Sequence, residues 1–304
     1  MKRRNFIQTG LATSSAMLAT AASSMPFEGV LNSSGRSFQL NYAPHEGMFA
    51  NHAPGGILEQ LRFMADQGFA AFEDNGMRGR STDEQSAMAK VMTERGIDMG
   101  VFVAHTIYWD KPSLTTGKKE FIDQFLAECS ASVEVAKRVN AKWMTVVPGN
   151  FDRSIPIGIQ TGNIIEVLRR AADIFAKHDL VMVLEALSDT PDLFLRHSDQ
   201  TYMICKAVNS PACKILFDMY HMQKNEGRMM YHIDQCWDEI AYFQIGDEPA
   251  RNEPTTGEIN YGNLFKHIHQ KGFKGILGME HGNATAGKAG EQAVIAAYRI
   301  CDSF

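Results

Sequence analysis

The chain alternates short apolar runs with longer segments in which apolar residues recur at the spacing of a helix face. Apolar runs bounded by turn residues are typical of buried strands. We therefore predict eight strands, at residues 38–43, 70–73, 99–104, 143–147, 181–185, 214–218, 240–245 and 275–280. The amphipathic segments predict eight helices, at residues 56–67, 82–95, 119–139, 161–178, 199–208, 229–237, 261–271 and 286–301.

This strand–helix alternation predicts an α/β fold with one domain over residues 34–304. Parallel strands need crossover connections, and eight such units in about 270 residues match a single (β/α)8 barrel. A doubly wound open sheet is the rival fold. It loses support because neither a dinucleotide-binding nor a P-loop glycine motif follows the first predicted strand.

Residues 1–33 are typical of an export signal followed by a linker. Arg3 and Arg4 precede a modestly apolar stretch at residues 10–22, and Ala19-Thr20-Ala21 resembles a cleavage site. We predict export by the twin-arginine route, which in a bacterium leads to the periplasm. The alternative is a chance basic N-terminus on a cytoplasmic protein, and cleavage of the signal is left open.

Composition narrows the classes of partner. The 304 residues are 44% hydrophobic and 21% charged, which is ordinary for a globular protein. Loss of residues 1–22 would remove three positive charges and lower the net charge from −5 to −8. So acidic a chain is not expected to bind nucleic acid. No apolar run is long enough to predict membrane insertion. Five cysteines without a C-x-x-C pair predict buried free thiols, at Cys129, Cys205, Cys213, Cys236 and Cys301.

Four successive predicted strands end on an oxygen-bearing side chain: Glu185, Asp218, Gln244 and Glu280. Functional residues of a (β/α)8 barrel lie at these carboxyl ends, so we expect the four side chains to converge. Converging carboxylates repel one another unless a cation neutralises them. An all-oxygen set suits a divalent ion, Mg²⁺ or Mn²⁺. Taken singly, each could instead be a strand-end cap or a salt-bridge partner.

Glutamates on both sides of a metal-bound substrate suggest proton transfer. A metal holding a carbonyl oxygen and the neighbouring hydroxyl would stabilise an enediolate. Glu185 and Glu280 would then act as base and acid in an aldose–ketose isomerisation or an epimerisation of a small hydroxy-carbonyl compound.

Further polar residues follow the predicted strands and are candidates for the substrate pocket. His221 lies three residues after Asp218, close enough to reach a substrate oxygen, and Arg251 is suited to a substrate carboxylate. His105 is a third candidate contact, although a lone strand-end histidine is more often structural. Strands 1 and 2 end near His45 and at residues 73–75.

At these residues the chain resembles the hydroxypyruvate isomerase family of the xylose isomerase-like TIM barrel superfamily, over about residues 36–304. The most specific stretch is Arg-Asn-Glu-Pro-x-Thr-Gly-Glu-Ile-Asn-Tyr at residues 251–261. The resemblance implies a metal held by Glu185, Asp218, Gln244 and Glu280, with Glu185 and Glu280 as the proton-transfer pair. It also implies interconversion of hydroxypyruvate and 2-hydroxy-3-oxopropanoate. Sugar epimerases of the superfamily tend to have His at the position of Gln244.

The sequence is also compatible with other functions. An export signal is unexpected for hydroxypyruvate isomerase, and Ala186-Leu187-Ser188 stands where relatives often show Pro-Leu-Asn. An exported sugar or keto-sugar isomerase or epimerase with the same metal site is the first alternative. An abasic-site endonuclease and a non-enzymatic binding protein on the same barrel are the others. Barrels of this superfamily are often dimers or tetramers, so a homo-oligomer is left open.

Overall fold

The structure is a computed structural model that describes residues 38–304. Eight strands lie in this range, with bounds β1 Asn41–Pro44, β2 Ala71–Phe72, β3 Asp98–Met99, β4 Trp143–Val146, β5 Val181–Glu185, β6 Cys213–Asp218, β7 Ile240–Gln244 and β8 Ile276–Met279. The helices of the same range are α1 Ile57–Asp66, α2 Thr82–Arg95, α3 Lys119–Val139, α4 Ile157–Ala176, α5 Ser198–Val208, α6 Met219–Asn225, α7 Met229–Cys236, α8 Tyr261–Gln270 and α9 Gly287–Cys301. The predicted export signal at residues 1–33 lies outside the described residues.

The strands form a parallel, curled sheet. Six of them pair in the order β1–β8–β7–β6–β5–β4, and β2 pairs with β3. Single parallel bridges, His45 with Glu73 and Val103 with Thr145, join the two groups. Each strand therefore lies beside its neighbours in the chain, and the last lies beside the first. The predicted α/β fold with a parallel sheet is confirmed, but residues 38–304 do not form one continuous eight-stranded ladder.

The largest differences from the prediction concern β3 and α6, and smaller ones shift the bounds of other elements: β1 begins at Asn41 and α4 at Ile157, where residues 38 and 161 were predicted. Regular pairing of β3 ends at Met99, whereas the apolar run predicted a strand to residue 104. Gly100 follows in a tight space, where a Cβ would lie 2.5 Å from Tyr242 Oη. The seven-residue α6 was not predicted, because so short a helix leaves no readable periodicity. It begins where the Asp218 carboxylate accepts hydrogen bonds from the backbone N–H groups of Tyr220 (2.7 Å) and His221 (3.1 Å).

Helix α2 matches its prediction because its end signals are local. Ser81 Oγ accepts the backbone N–H of Glu84 at 3.2 Å, and the Glu84 carboxylate accepts the backbone N–H of Ser81 at 3.0 Å. This capping box satisfies two amide groups that the first turn leaves unpaired. Gly96 ends the helix in the left-handed conformation, with φ 67°.

The main apolar cluster joins sheet residues such as Phe217 and Phe243 to helix residues such as Leu61, Val167 and Phe265. All five cysteines are buried and free, as predicted. Between residues 38 and 304, no helix combines the length and the apolar character that a bilayer crossing requires.

Candidate active and metal site

Side-chain alternation along the strands builds the candidate site. One small cluster of apolar residues takes a member from most of the strands or their ends: Ala43, Ala71, Val101, Val183, Leu216, Tyr242 and Ile276. Because strand side chains repeat every two residues, the next residues on the same face lie one layer higher. These are His45, Glu73, Val103, Glu185, Asp218, Gln244 and Gly278. A polar layer therefore covers an apolar one at the carboxyl end of the sheet.

The carboxylates of this layer come close together. Ligand atoms of Glu185, Asp218 and His221 lie within 4.8 Å of one another, and those of His45, Glu73 and Glu280 form a second such group. Both groups contain side chains able to hold a metal ion. The strand ends that the sequence predicted to converge thus contribute Glu185 and Asp218 to one group and Glu280 to the other.

Arg251 lies between two of the predicted ligands. Its guanidinium donates to Asp218 Oδ2 at 3.0 Å and to Glu280 Oε2 at 2.7 Å, and its Nε donates to the Glu280 backbone carbonyl at 3.1 Å. Burial alone would lower the pKa of Arg251, but the charges of Asp218 and Glu280 outweigh it and raise the pKa. The sequence predicted Arg251 to bind substrate; it did not predict that Arg251 pairs with these carboxylates.

Burial and mutual repulsion perturb the two glutamates. Burial raises the pKa of Glu185 well above its usual value, and the charges of Glu280 and Asp218 raise it further. Burial also raises the pKa of Glu280 to about 7, although Arg251 opposes the shift. Asn75 Nδ2 donates to Glu280 Oε1 at 2.7 Å. Carboxyl groups shifted toward neutral pH are typical of sites that transfer protons.

The side-chain oxygen of Gln244 indicates whether these residues could bind a cation. Its Nε2 donates to Glu73 Oε1 at 2.7 Å. Its Oε1 is buried and has no hydrogen-bond partner in the described part of the chain. A buried acceptor without a partner is costly, and a cation would satisfy it. Gln244 also pairs in register with Asp218, so the two side chains share one face of the sheet. The donor set is therefore compatible with a hard divalent ion.

His221 presents one ring nitrogen to the cluster. Its Nδ1 accepts the backbone N–H of Ser188 at 3.2 Å, so the ring proton of the neutral form belongs on Nε2. Burial lowers the pKa of His221, which favours this neutral form. Nε2 lies 3.7 Å from Asp218 Oδ2. A protonated Nε2 suits hydrogen bonding to a substrate oxygen better than metal ligation.

His105 is not brought into the acidic cluster. Its Nδ1 donates to the Thr106 carbonyl at 2.9 Å, and its Nε2 accepts the backbone N–H of Val147 at 3.3 Å. Its ring packs edge-on against Phe125. Burial lowers the pKa of His105 to about 4. Both ring nitrogens of His105 are thus bonded to the backbone, which does not support a contact with substrate. That contact stays a prediction.

A cavity of about 330 Å³ opens above the site. It is lined by His45, Asn75, Arg251, Glu280, His281 and Gly282. The sequence made His45 and residues 73–75 candidates for the pocket, and His45 and Asn75 do line this cavity. It did not single out Tyr242, which bonds Glu73. The alternation of apolar and polar residues at the end of strand 7 was the signal that could have found Tyr242.

Residues 61–301 match the sequence model of the xylose isomerase-like TIM barrel. The chain belongs to this family. Among curated proteins, hydroxypyruvate isomerase of Escherichia coli (strain K12) is 31% identical over 170 residues, 55% of this chain and 66% of that one. The 2-oxo-tetronate isomerase of Cupriavidus necator is 34% identical over 119 residues, 38% of this chain and 46% of that one. The chain thus spans about half to two thirds of these relatives.

Solved structures support the same fold. The crystal structure of the IOLI protein with a bound zinc atom superposes with a TM-score of 0.65 at 14% identity, covering 87% of this chain and 95% of that one. At this identity the likeness shows a shared fold alone. The zinc atom is a property of that protein.

Proposed function

We propose that the protein is a metal-dependent isomerase that interconverts hydroxypyruvate and 2-hydroxy-3-oxopropanoate. The observation that carries the proposal is the buried convergence of Glu185 and Asp218, with Glu280 close by and the unpartnered oxygen of Gln244 in the same layer. The relatives support the class of reaction, since both curated proteins described above are named isomerases.

Glu185, Asp218, Gln244 and Glu280 would hold the ion, and Mg²⁺ or Mn²⁺ best suits their oxygen atoms. When bound, the ion would act as a Lewis acid that favours negative charge on the substrate's carbonyl oxygen. Arg251 offsets part of the charge of Asp218 and Glu280 through its two ion pairs.

The two glutamates would move the proton. One carboxylate removes a proton from C3 of hydroxypyruvate, which gives the enediolate, and the other delivers a proton to C2 to form the aldehyde isomer. The hydroxyl proton passes from the oxygen on C3 to the oxygen on C2, so no oxidant or reductant is needed. The raised pKa values of Glu185 and Glu280 support this role, because an acid–base pair works best near ambient pH.

The substrate would lie in the cavity above the site. Arg251 lines this cavity and carries donors that suit a carboxylate. His221 Nε2 would donate to a substrate oxygen. A small-molecule substrate therefore fits the site better than a polymer.

The test measures hydroxypyruvate turnover in Glu185→Gln and Glu280→Gln variants of the full-length chain with added Mn²⁺. Each should lose activity by roughly 10²-fold or more, because a general acid–base group contributes that much. Solvent deuterium should appear at C2 of the product with the wild-type protein. Glu239→Gln is the matched control, since Glu239 is a buried carboxylate bonded to Lys214 just before the start of β7. Near wild-type turnover in either site variant would reject the acid–base assignment.

A keto-sugar acid or sugar derivative is the second candidate substrate, because one relative is named a 2-oxo-tetronate isomerase. Arg251→Met separates the anionic candidates, hydroxypyruvate and a keto-sugar acid, from a neutral sugar derivative. The ion pairs of Arg251 affect every substrate, so the informative quantity is the ratio of losses in kcat/KM. An anionic substrate should lose roughly 10–100-fold more than a neutral ketose, since a hydrogen bond to a charged group contributes about 1.5–3 kcal/mol. Equal losses would favour a neutral sugar.

Export by the twin-arginine route is a separate proposal, supported by Arg3, Arg4 and the apolar stretch that follows. Residues 1–33 fused to a folded reporter should direct it to the periplasm. The same fusion with Arg3→Lys and Arg4→Lys should remain in the cytoplasm. Reporter found in the cytoplasm with both fusions would reject the signal.

A further inference from the structure

A fully buried carboxylate lies against Gln244 in the polar layer. Glu73 has 0% of its surface exposed. Its Oε2 accepts a hydrogen bond from Tyr242 Oη at 2.7 Å, and its Oε1 accepts one from Gln244 Nε2 at 2.7 Å. Glu73 thus uses both oxygens to bind two side chains of β7.

Two glycines make room for this network. A Cβ on Gly278 of β8 would lie 1.8 Å from Glu73 Oε2, and a Cβ on Gly100 would lie 2.5 Å from Tyr242 Oη. Real Cβ atoms essentially never approach this closely. Glu73 and Tyr242 are therefore accommodated only because the chain has no side chain at these two positions.

The network decides which way the Gln244 carboxamide points. A carboxylate can only accept hydrogen bonds, so Glu73 requires the Nε2 side of the amide. A half-turn of the amide would set Gln244 Oε1 against Glu73 Oε1 and lose the bond. The observed orientation leaves Oε1 on the other side, buried and without a partner among residues 38–304. Its register partner Asp218 belongs to the same polar layer.

We propose that Glu73 is a positioning residue, which fixes the Gln244 carboxamide so that its oxygen, and not its nitrogen, faces a bound cation. Tyr242 holds Glu73 in place through the second carboxylate oxygen. The inference rests on the proposed function in one respect, that the cluster around Asp218 is the metal site. Residues that orient a ligand through a hydrogen bond commonly change metal affinity by roughly 10–100-fold.

The experiment measures the affinity of the full-length chain for Mn²⁺ by electron paramagnetic resonance, without substrate. Glu73→Gln keeps the size of the side chain but gives it a donor as well as an acceptor, so Gln244 can turn its oxygen toward residue 73. Mn²⁺ binding should weaken roughly 10–100-fold. An unchanged affinity in a folded Glu73→Gln protein would overturn the inference while the proposed metal site stands.

A double variant, Glu73→Gln with Gln244→Glu, exchanges the two groups and keeps the net charge. The carboxylate at position 244 offers an oxygen to the cation whichever way it is turned. The amide at position 73 can still donate a hydrogen bond to that carboxylate. Mn²⁺ affinity should return to within a few-fold of the wild type. Failure of this exchange to restore binding would count against orientation as the cause.

Tyr242→Phe supplies a second route if Glu73→Gln does not fold. It frees one oxygen of Glu73 and should weaken Mn²⁺ binding, whereas Tyr42→Phe should not. Tyr42 is the matched control, because its Oη donates to another buried carboxylate, Asp302 Oδ1, at 2.9 Å outside the site. Equal affinity in both variants would overturn the role of the network. A wild-type chain that binds no Mn²⁺ would overturn both this inference and the proposed function.

Discussion

Gly278→Ala offers a direct test of the packing beneath the candidate site. The new methyl group would lie 1.8 Å from Glu73 Oε2, whereas ordinary contact begins near 3.4 Å. The carboxylate would have to move by about 1.6 Å, the difference between these two distances. Its 2.7 Å hydrogen bonds from Tyr242 and Gln244 would not survive a shift of this size.

The expected loss of stability has two parts. Overpacking a core costs about 1–3 kcal/mol. Leaving buried donors without partners costs about 1–3 kcal/mol more. Together these lower the melting temperature by roughly 4–11 °C in a domain of this size, measured by thermal unfolding followed by circular dichroism.

Gly162→Ala is the matched control. Gly162 lies inside α4, and nothing comes within 4 Å of a Cβ built on it. Alanine there should raise stability by about 0.5–1 kcal/mol. Combining Glu73→Ala with Gly278→Ala should destabilise less than the sum of the single changes, because the clash is then gone. A Gly278→Ala protein as stable as the wild type would refute this account.

Two further predictions concern parts of the chain away from the site. Burial alone would raise the pKa of Glu291, but hydrogen bonds from Asn51 and His52 outweigh burial and lower the pKa. The ionised Glu291 therefore stabilises the fold above its unfolded-state pKa, and this stabilisation is lost as the pH falls through the folded-state pKa. Glu291→Gln should therefore lower the melting temperature near neutral pH, and by less as the pH falls below the unfolded-state pKa. A difference that does not shrink on acidification would contradict the assignment. Ser81→Ala should cost about 1 kcal/mol in urea unfolding, because Ser81 Oγ accepts the Glu84 backbone N–H, and an unchanged midpoint would show that this cap contributes nothing.

The carboxyl ends of β5 to β8 could be predicted from the sequence for a simple physical reason. Each apolar run ends at its polar residue, and the fold brings those ends to one edge of the sheet. Glu185, Asp218 and Gln244 each end their strands, and Glu280 follows β8 directly. Sequence spacing was sufficient here because the contacts depend on strand order alone.

Arg251 and Glu73 show where such reasoning stops. Arg251 reaches Asp218 and Glu280 because its loop folds back, with the backbone N–H of Asp247 donating to the Asn252 carbonyl at 2.8 Å. Nothing in the local pattern specifies that turn. Glu73 depends on a glycine two hundred residues later, and a sequence alone does not say which glycine faces which carboxylate.

The balance of charge argues that the site is built for chemistry rather than for stability. Arg251 pairs with the carboxylates of Asp218 and Glu280. Two more carboxylates lie close to these, Glu185 in the group of ligand atoms with Asp218 and Glu73 in the group with Glu280. Burial raises the pKa of Glu73 and of Glu185, and that of Glu280 to about 7, so the fold holds them at a cost. Protonation would relieve the repulsion but would remove the base that the proposed isomerisation needs. A divalent cation would relieve it and leave one carboxylate able to accept a proton, which is the condition that the proposed isomerisation requires.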